Sequence, residues 1–207
     1  MNTKQKILDA ALTLFSQKGY SNVYVAQIAE AVGIKAPSLY KHFKSKQDLF
    51  QAILAEMKNR YDHQAHSLNM NGNDASIDAQ TLAVVSEDGL VQMGTGLFQH
   101  FLHDDYAQRF RKMLTIEQFR DPELARLFSC QYADDPLMYQ SAMFAMLSAG
   151  GVLKDQNPNV MALQFYAPIY LLLTLCDREP PREEELTALL ESHIRQFSRM
   201  YQREDKR

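Results

Sequence analysis

Lys35, Ser38, Tyr40, Lys41 and His42 bring two ammonium groups, two hydroxyls and an imidazole into the eight residues K-A-P-S-L-Y-K-H. Those groups suit a nucleic acid. A lysine reaches the acceptor atoms of guanine, a serine hydroxyl serves several base edges, and the methyl of Ala36 can meet a thymine methyl. Tyr40 can hold a phosphate, which positions a protein on the duplex without reading its sequence. Leu39 and Phe43 fall one helical turn apart. Turned inward, they leave Lys35, Ala36, Ser38, Tyr40, Lys41 and His42 facing out.

Other reactive residues are weaker candidates. His100-x-x-His103-Asp104 and His63-x-x-His66 have a spacing that a metal could use on a helix, but neither brings a fourth ligand. Cys130 and Cys176 stand alone and read as buried thiols. The chain shows no nucleophile elbow, phosphate loop, dinucleotide fingerprint or zinc spacing. No enzyme, cofactor or metal site is predicted.

The elements that must position the basic cluster follow from periodicity. Val25, Ile28, Ala29 and Val32 form one apolar helix face, and Gly33 follows where a helix end wants a left-handed backbone. Ile34 can plug the angle to a second helix over 35–42, with Pro37 near its start. Two short helices joined by a Gly turn form a helix-turn-helix, whose second helix lies in the major groove. Residues 3–18 form a helix behind it, with Ile7, Ala11, Leu14 and Phe15 inward. Ser45-Lys46-Gln47-Asp48 opens a fourth helix as a capping box, and an apolar stripe carries it to about residue 66.

The stretch Gly19 to Phe50 resembles the DNA-binding domain of TetR/AcrR-type transcriptional regulators. The matching residues are Gly19, Tyr20, Ile28-Ala29-Glu30, Gly33, Leu39-Tyr40, Phe43, Ser45-Lys46 and Leu49. The resemblance implies that Lys35, Ala36, Pro37 and Ser38 face bases and that Tyr40 and Lys46 hold phosphates. Where the family usually has Ser or Thr to cap the second helix, Val23 and Tyr24 stand here; the Tyr24 hydroxyl can serve a phosphate instead. The family pattern also has Ser and Gly where this chain has Lys35 and Pro37.

Charge fits that division. The whole chain carries −3, yet residues 1–60 hold nine Lys/Arg against four Asp/Glu, which makes the remainder strongly acidic. A basic head on an acidic body is what a phosphate-binding module fused to another domain shows. Few Gly and Pro, and no alternating pattern bounded by turns, predict an all-α chain. The polar N-terminus does not read as a signal peptide. The run Ala167–Cys176 is shorter than the roughly 20 residues of a membrane span. The chain is expected to be soluble and cytoplasmic, without a membrane partner.

Three parts are predicted: a helix-turn-helix domain over 1–48, a connecting helix over 49–66, and a helical effector-binding and dimerisation domain over 67–207. The polar stretch 67–78 reads as a loop and a boundary. A helix is expected from Thr81 to His103 despite Gly89, Gly94 and Gly96, and others begin near Asp104, Asp121-Pro122, Asp135-Pro136 and Asn157-Pro158. The body is rich in Met and aromatics. His100, His103, Tyr106, Phe110, Met113, Phe128, Tyr139, Met143, Tyr166 and Tyr170 are the candidate lining of a largely apolar effector pocket, although each alone also suits a core. The last two helices are more apolar than one chain's core requires, and the resemblance implies a four-helix homodimer interface. Leu163, Tyr170, Leu186, Leu190, Ile194, Phe197 and Tyr201 are its candidate residues.

The resemblance thus implies a ligand-responsive regulator, by default a repressor, that binds a palindromic operator in double-stranded DNA as a dimer. A small-molecule effector would release it by shifting the spacing of the heads, with the 45–66 helix as the lever. Two alternatives stay open. One is a helical small-molecule-binding protein or enzyme that has lost operator binding. The other is an interaction protein whose head binds protein.

Overall fold

A computed structural model describes residues 2–203. Its elements are α1 (Thr3–Lys18), α2 (Val25–Val32), α3 (Ala36–Tyr40), α4 (Lys46–Ser67), α5 (Ala75–Leu82), α6 (Glu87–His103), α7 (Asp105–Glu117), α8 (Pro122–Ser129), α9 (Asp135–Ala149), α10 (Pro158–Arg178) and α11 (Glu183–Tyr201). One turn of π-helix, Cys130–Asp134, joins α8 to α9, and a 3-10 turn, Pro180–Arg182, precedes α11. The chain is all-α: the described residues contain no strand, only an isolated bridge between Leu153 and Gln202.

The contacts divide the chain into two units. Unit 1 comprises Met1–Arg60 and Asp104–Ser129; unit 2 comprises Tyr61–His103 and Cys130–Arg207. This differs from a cut after residue 48 or 66, because α7 packs along α1 and so belongs with the N-terminal helices. The core of unit 1 is built from Ile7, Leu12 and Phe15 of α1, Ile28 of α2, Leu39 of α3, Leu49 and Ile53 of α4, and Phe110 and Met113 of α7, all fully buried. Tyr20 stacks between Phe15 and Phe50, with ring centroids 5.1 and 4.9 Å away.

Unit 2 holds two apolar clusters. One gathers Val91, Phe98 and Leu102 of α6 with Leu172, Leu173 and Cys176 of α10 and Leu186, Leu190 and Ile194 of α11. The other gathers Met143, Phe144 and Leu147 of α9 with Met161, Ala162 and Phe197. Gly94 lets α6 and α11 approach: a Cβ there would stand 2.5 Å from Ile194 Cδ1.

The loop expected over 67–78 is shorter, because Asp74 caps α5. Its Oδ1 accepts from the Ser76 amide at 2.8 Å, a strong start signal in place of the expected one at Thr81. The helix expected from Thr81 breaks at 83–86 and resumes as α6, which runs through Gly94 and Gly96. By length and composition α10 could cross a bilayer. Its Met161, Ala162, Leu172, Leu173 and Cys176 are instead buried in the two clusters of unit 2.

Candidate nucleic-acid interface

The helix-turn-helix forms as the spacing requires. Gly33 adopts φ 75°, and the Ile34 amide donates to the Ala29 carbonyl at 2.9 Å, which closes the end of α2. No hydroxyl caps α2. The side-chain oxygen of Gln27 accepts from the Tyr24 amide at 2.8 Å instead. Pro37 lies in the first turn of α3, where a missing N–H costs little. At the start of α4, the Ser45 hydroxyl accepts from the Asp48 amide at 3.0 Å, and Asp48 accepts from the Lys44 amide at 2.8 Å.

Leu39 and Phe43 are buried, so α3 is anchored by its rear. Lys35, Pro37, Tyr40, Lys41 and His42 are exposed, and Ala36 and Ser38 are half-buried between them. Tyr40 is 51% and Tyr24 71% exposed, although an apolar ring favours burial. The same head therefore presents two phenolic hydroxyls, two lysines, an imidazole and a small hydroxyl on and beside one short helix. That inventory can donate to phosphates and to base edges.

Lys46 is placed differently from the other candidates. Its Nζ donates to the carbonyls of Tyr20 at 3.0 Å and Val23 at 3.1 Å, and stands 4.3 Å from the centre of the Tyr20 ring. Burial lowers its pKa, and the charge of Glu117 partly offsets this. Two of its three donors thus serve the α1–α2 turn.

The remaining candidates fall into both units. Tyr106, Phe110 and Met113 are buried in the core of unit 1, because the α7 face that carries them packs on α1. Half-buried Phe128 lies on α8 of the same unit. In unit 2, His103 is exposed and its Nε2 lies 2.7 Å from Glu183 Oε1, while His100 sets its ring edge against Phe101. Among the described residues no group of three or more His, Cys, Asp or Glu is placed to hold a metal. The Tyr139 hydroxyl donates to Asp78, and Met143 is buried. The Tyr166 hydroxyl donates to the Tyr132 carbonyl at 3.0 Å. The Tyr170 ring lies nearly parallel to those of Tyr132 and Tyr166, at 6.0 and 6.3 Å.

For the interface residues the structure brings a correction. Leu186, Leu190, Ile194 and Phe197 are at most 6% exposed, because they close the two clusters of their own chain. Leu163 is exposed, and Tyr170 and Tyr201 are half-buried. The apolar side chains left outward are Val160, Leu163 and Leu171 on α10 and Leu189 and Met200 on α11. An open groove of about 420 Å³ runs beside them, lined by Gln164, Pro168, Leu171, Leu189, His193 and Met200 among others. Sequence periodicity found the stripe on α11 but chose its inward edge.

Comparison with known proteins agrees with the head. The family described as "Bacterial regulatory proteins, tetR family" matches residues 7–53. The biofilm operon icaADBC HTH-type negative transcriptional regulator IcaR of Staphylococcus aureus (strain Newman) is 42% identical over 78 residues, 37% of this chain. That match spans 40% of the relative's length. Among solved structures, a TetR-family transcriptional regulator from Mesorhizobium loti aligns with TM-score 0.67 and 20% identity over 96% of both chains. SmeT, the repressor of the Stenotrophomonas maltophilia multidrug efflux pump SmeDEF, aligns with TM-score 0.65 and 18% identity, over 99% of this chain and 93% of its own. At such identities the structures speak for the fold. With its residues 7–53 matched and its whole fold shared, the chain belongs to the bacterial regulatory proteins of the tetR family.

Proposed function

We propose that the protein is a ligand-responsive transcriptional regulator that binds a palindromic operator as a homodimer and acts as a repressor. The observation that carries this reading is α3: a buried Leu39 and Phe43 behind an exposed Lys35, Ser38, Tyr40, Lys41 and His42. The names of IcaR, a negative regulator, and SmeT, a repressor, favour repression. DNA contacts are assigned to Lys35, Ala36, Pro37, Ser38, Tyr40, Lys41, His42 and Tyr24, and to the third donor of Lys46. Such a protein works in the cytoplasm, where the chromosome is.

The dimer is assigned to the outward face of α10 and α11, around Leu163, Leu171, Leu189 and Met200. Exposed apolar side chains on two adjacent helices favour an isologous contact with a second copy. Two heads would then read half-sites about 34–36 Å apart or a multiple of that. The effector is assigned to unit 2, near Tyr139, Tyr166 and Tyr170, and its class is a largely apolar small molecule.

The test is a binding titration of the purified protein on DNA upstream of its own gene, with random DNA as competitor. Specific binding at dimer stoichiometry that weakens steeply with salt is expected. Binding no tighter than to random DNA over that region and its neighbouring promoters would overturn the operator reading. It would favour a helical ligand-binding protein that no longer reads DNA.

A further inference from the structure

Glu117 is the last residue of α7 and is fully buried. Neither fact favours a carboxylate: a helix C-terminus repels negative charge, and burial removes water from it. Its partners lie in the turn between α1 and α2. Oε2 accepts from the Ser21 hydroxyl at 3.0 Å, and Oε1 faces the Ser21 amide at 3.4 Å. Gly19 makes room for it. A Cβ at Gly19 would stand 2.1 Å from Oε1, and the backbone there has φ +84°. From the other side, Lys46 of α4 holds the carbonyls of Tyr20 and Val23.

The turn is therefore gripped at its N–H and hydroxyl by α7 and at its carbonyls by α4. It leads directly into Tyr24 and α2, which carries α3. α7 in turn follows α6 after the single residue Asp104. We infer that Glu117 is a positioning residue for DNA reading: through Ser21 it fixes the start of α2, and it makes α7 an input to the head separate from α4. This rests on the regulator reading above.

The test uses Ser21→Ala, Ser21→Thr, Glu117→Gln and the double variant Ser21→Ala/Glu117→Gln in the full chain. Two quantities are measured: operator affinity over a salt series, and amide hydrogen exchange across residues 19–32. Ser21 is exposed and Gln keeps the volume of Glu, so folding is preserved. Ser21→Ala and Glu117→Gln should each lower specific affinity about tenfold, the scale of one hydrogen bond to a charged group. The double variant should lose no more than the weaker single, because both act through one bond. The salt slope should stay unchanged, since no phosphate contact is removed. Ser21→Thr should retain affinity, and exchange should quicken at residues 19–28 in the two damaging variants. Wild-type affinity in both singles, or multiplied losses in the double, would overturn the inference. If the wild type shows no operator preference, the regulator reading falls by itself. Exchange then decides: quickened amides uphold the grip of Glu117 on the turn, and unchanged amides refute it.

Discussion

Arg109 on α7 and Asp9 on α1 are a hundred residues apart in sequence and 2.8 Å apart in space, Nη2 to Oδ1. The same guanidinium sends Nη1 to Thr13 Oγ1 at 2.6 Å and to the Asp9 carbonyl at 3.2 Å. Its planar fork meets three acceptors on one turn of α1, a geometry lysine does not reproduce.

Arg109→Ala should therefore destabilise unit 1 by about 1–3 kcal/mol, the range for hydrogen bonds to charged groups. The lower half is expected, because Asp9 is partly exposed and its pairing is screened. Arg109→Lys should recover less than half of the loss. Urea unfolding monitored by circular dichroism checks both, and full recovery by lysine would show that charge alone matters here.

Asp78 is fully buried and accepts from the amides of Asn71 at 2.6 Å and Gly72 at 2.8 Å and from the Tyr139 hydroxyl. Burial and the bond to Asp78 push the Tyr139 pKa upward. Asp78→Ala would strand two amides and a hydroxyl, at a cost of about 3–5 kcal/mol. Tyr139→Phe should cost about 1–2 kcal/mol. Limited proteolysis at residues 69–74 provides a local readout; wild-type resistance in Asp78→Ala would refute this anchoring role.

Glu87 is bound by Arg199, with contacts of 2.8 and 3.0 Å, and by Arg195 at 3.2 Å. The bond from Arg199, chiefly, holds its carboxyl below the usual range. A carboxylate with a lowered folded pKa contributes stability above its unfolded value, about pH 4.3. That contribution disappears as pH falls through the folded value. The stability gap between wild type and Arg199→Gln should thus be open at pH 7 and close toward pH 3. A gap that stays constant in urea titrations across that range would rule the linkage out.

Leu171→Glu/Leu189→Glu changes only outward side chains and should give a folded monomer. Leu190→Ala, in a fully buried position, should instead cost about 2–5 kcal/mol of stability. Sedimentation velocity and thermal unfolding separate these effects. A dimer that survives both glutamates would place the interface elsewhere.

On the DNA side, Tyr40→Phe should weaken operator and random DNA alike and leave the salt slope intact, since it removes a hydroxyl and no charge. Lys41→Ala should reduce the slope by about 1 if its ammonium meets a phosphate, or relax specificity at one base position if it meets a guanine. Filter binding at several salt concentrations, repeated on operator variants, distinguishes them. No change in either quantity would remove Lys41 from the interface.

The head was legible in the sequence because its signals are local. Gly33, the period of Val25, Ile28 and Ala29, and the pair Leu39 and Phe43 each act within one or two turns. Glu117 was not, because nothing near it in sequence hints that its partner is Ser21, 96 residues away. The same holds for the pairing of α7 with α1, which moved residues 104–129 out of the body. In α11 the period was right and the face was ambiguous. Leu186 and Leu190 look no different in sequence from Leu189, and only the packing of α6 and α10 tells inside from outside.

The π-turn at Cys130–Asp134 carries a lesson about length. It adds one residue to an otherwise helical run, and Tyr132 within it offers its carbonyl to Tyr166. Loss of a single codon there would restore plain α-helix and turn the side chains on its two sides out of phase by about 100°. Tyr132 could then no longer face α10 while Met143, Phe144 and Leu147 kept theirs. Over this stretch the chain can absorb many substitutions, yet its reading is metered, and an alignment gap is the change it is least able to survive.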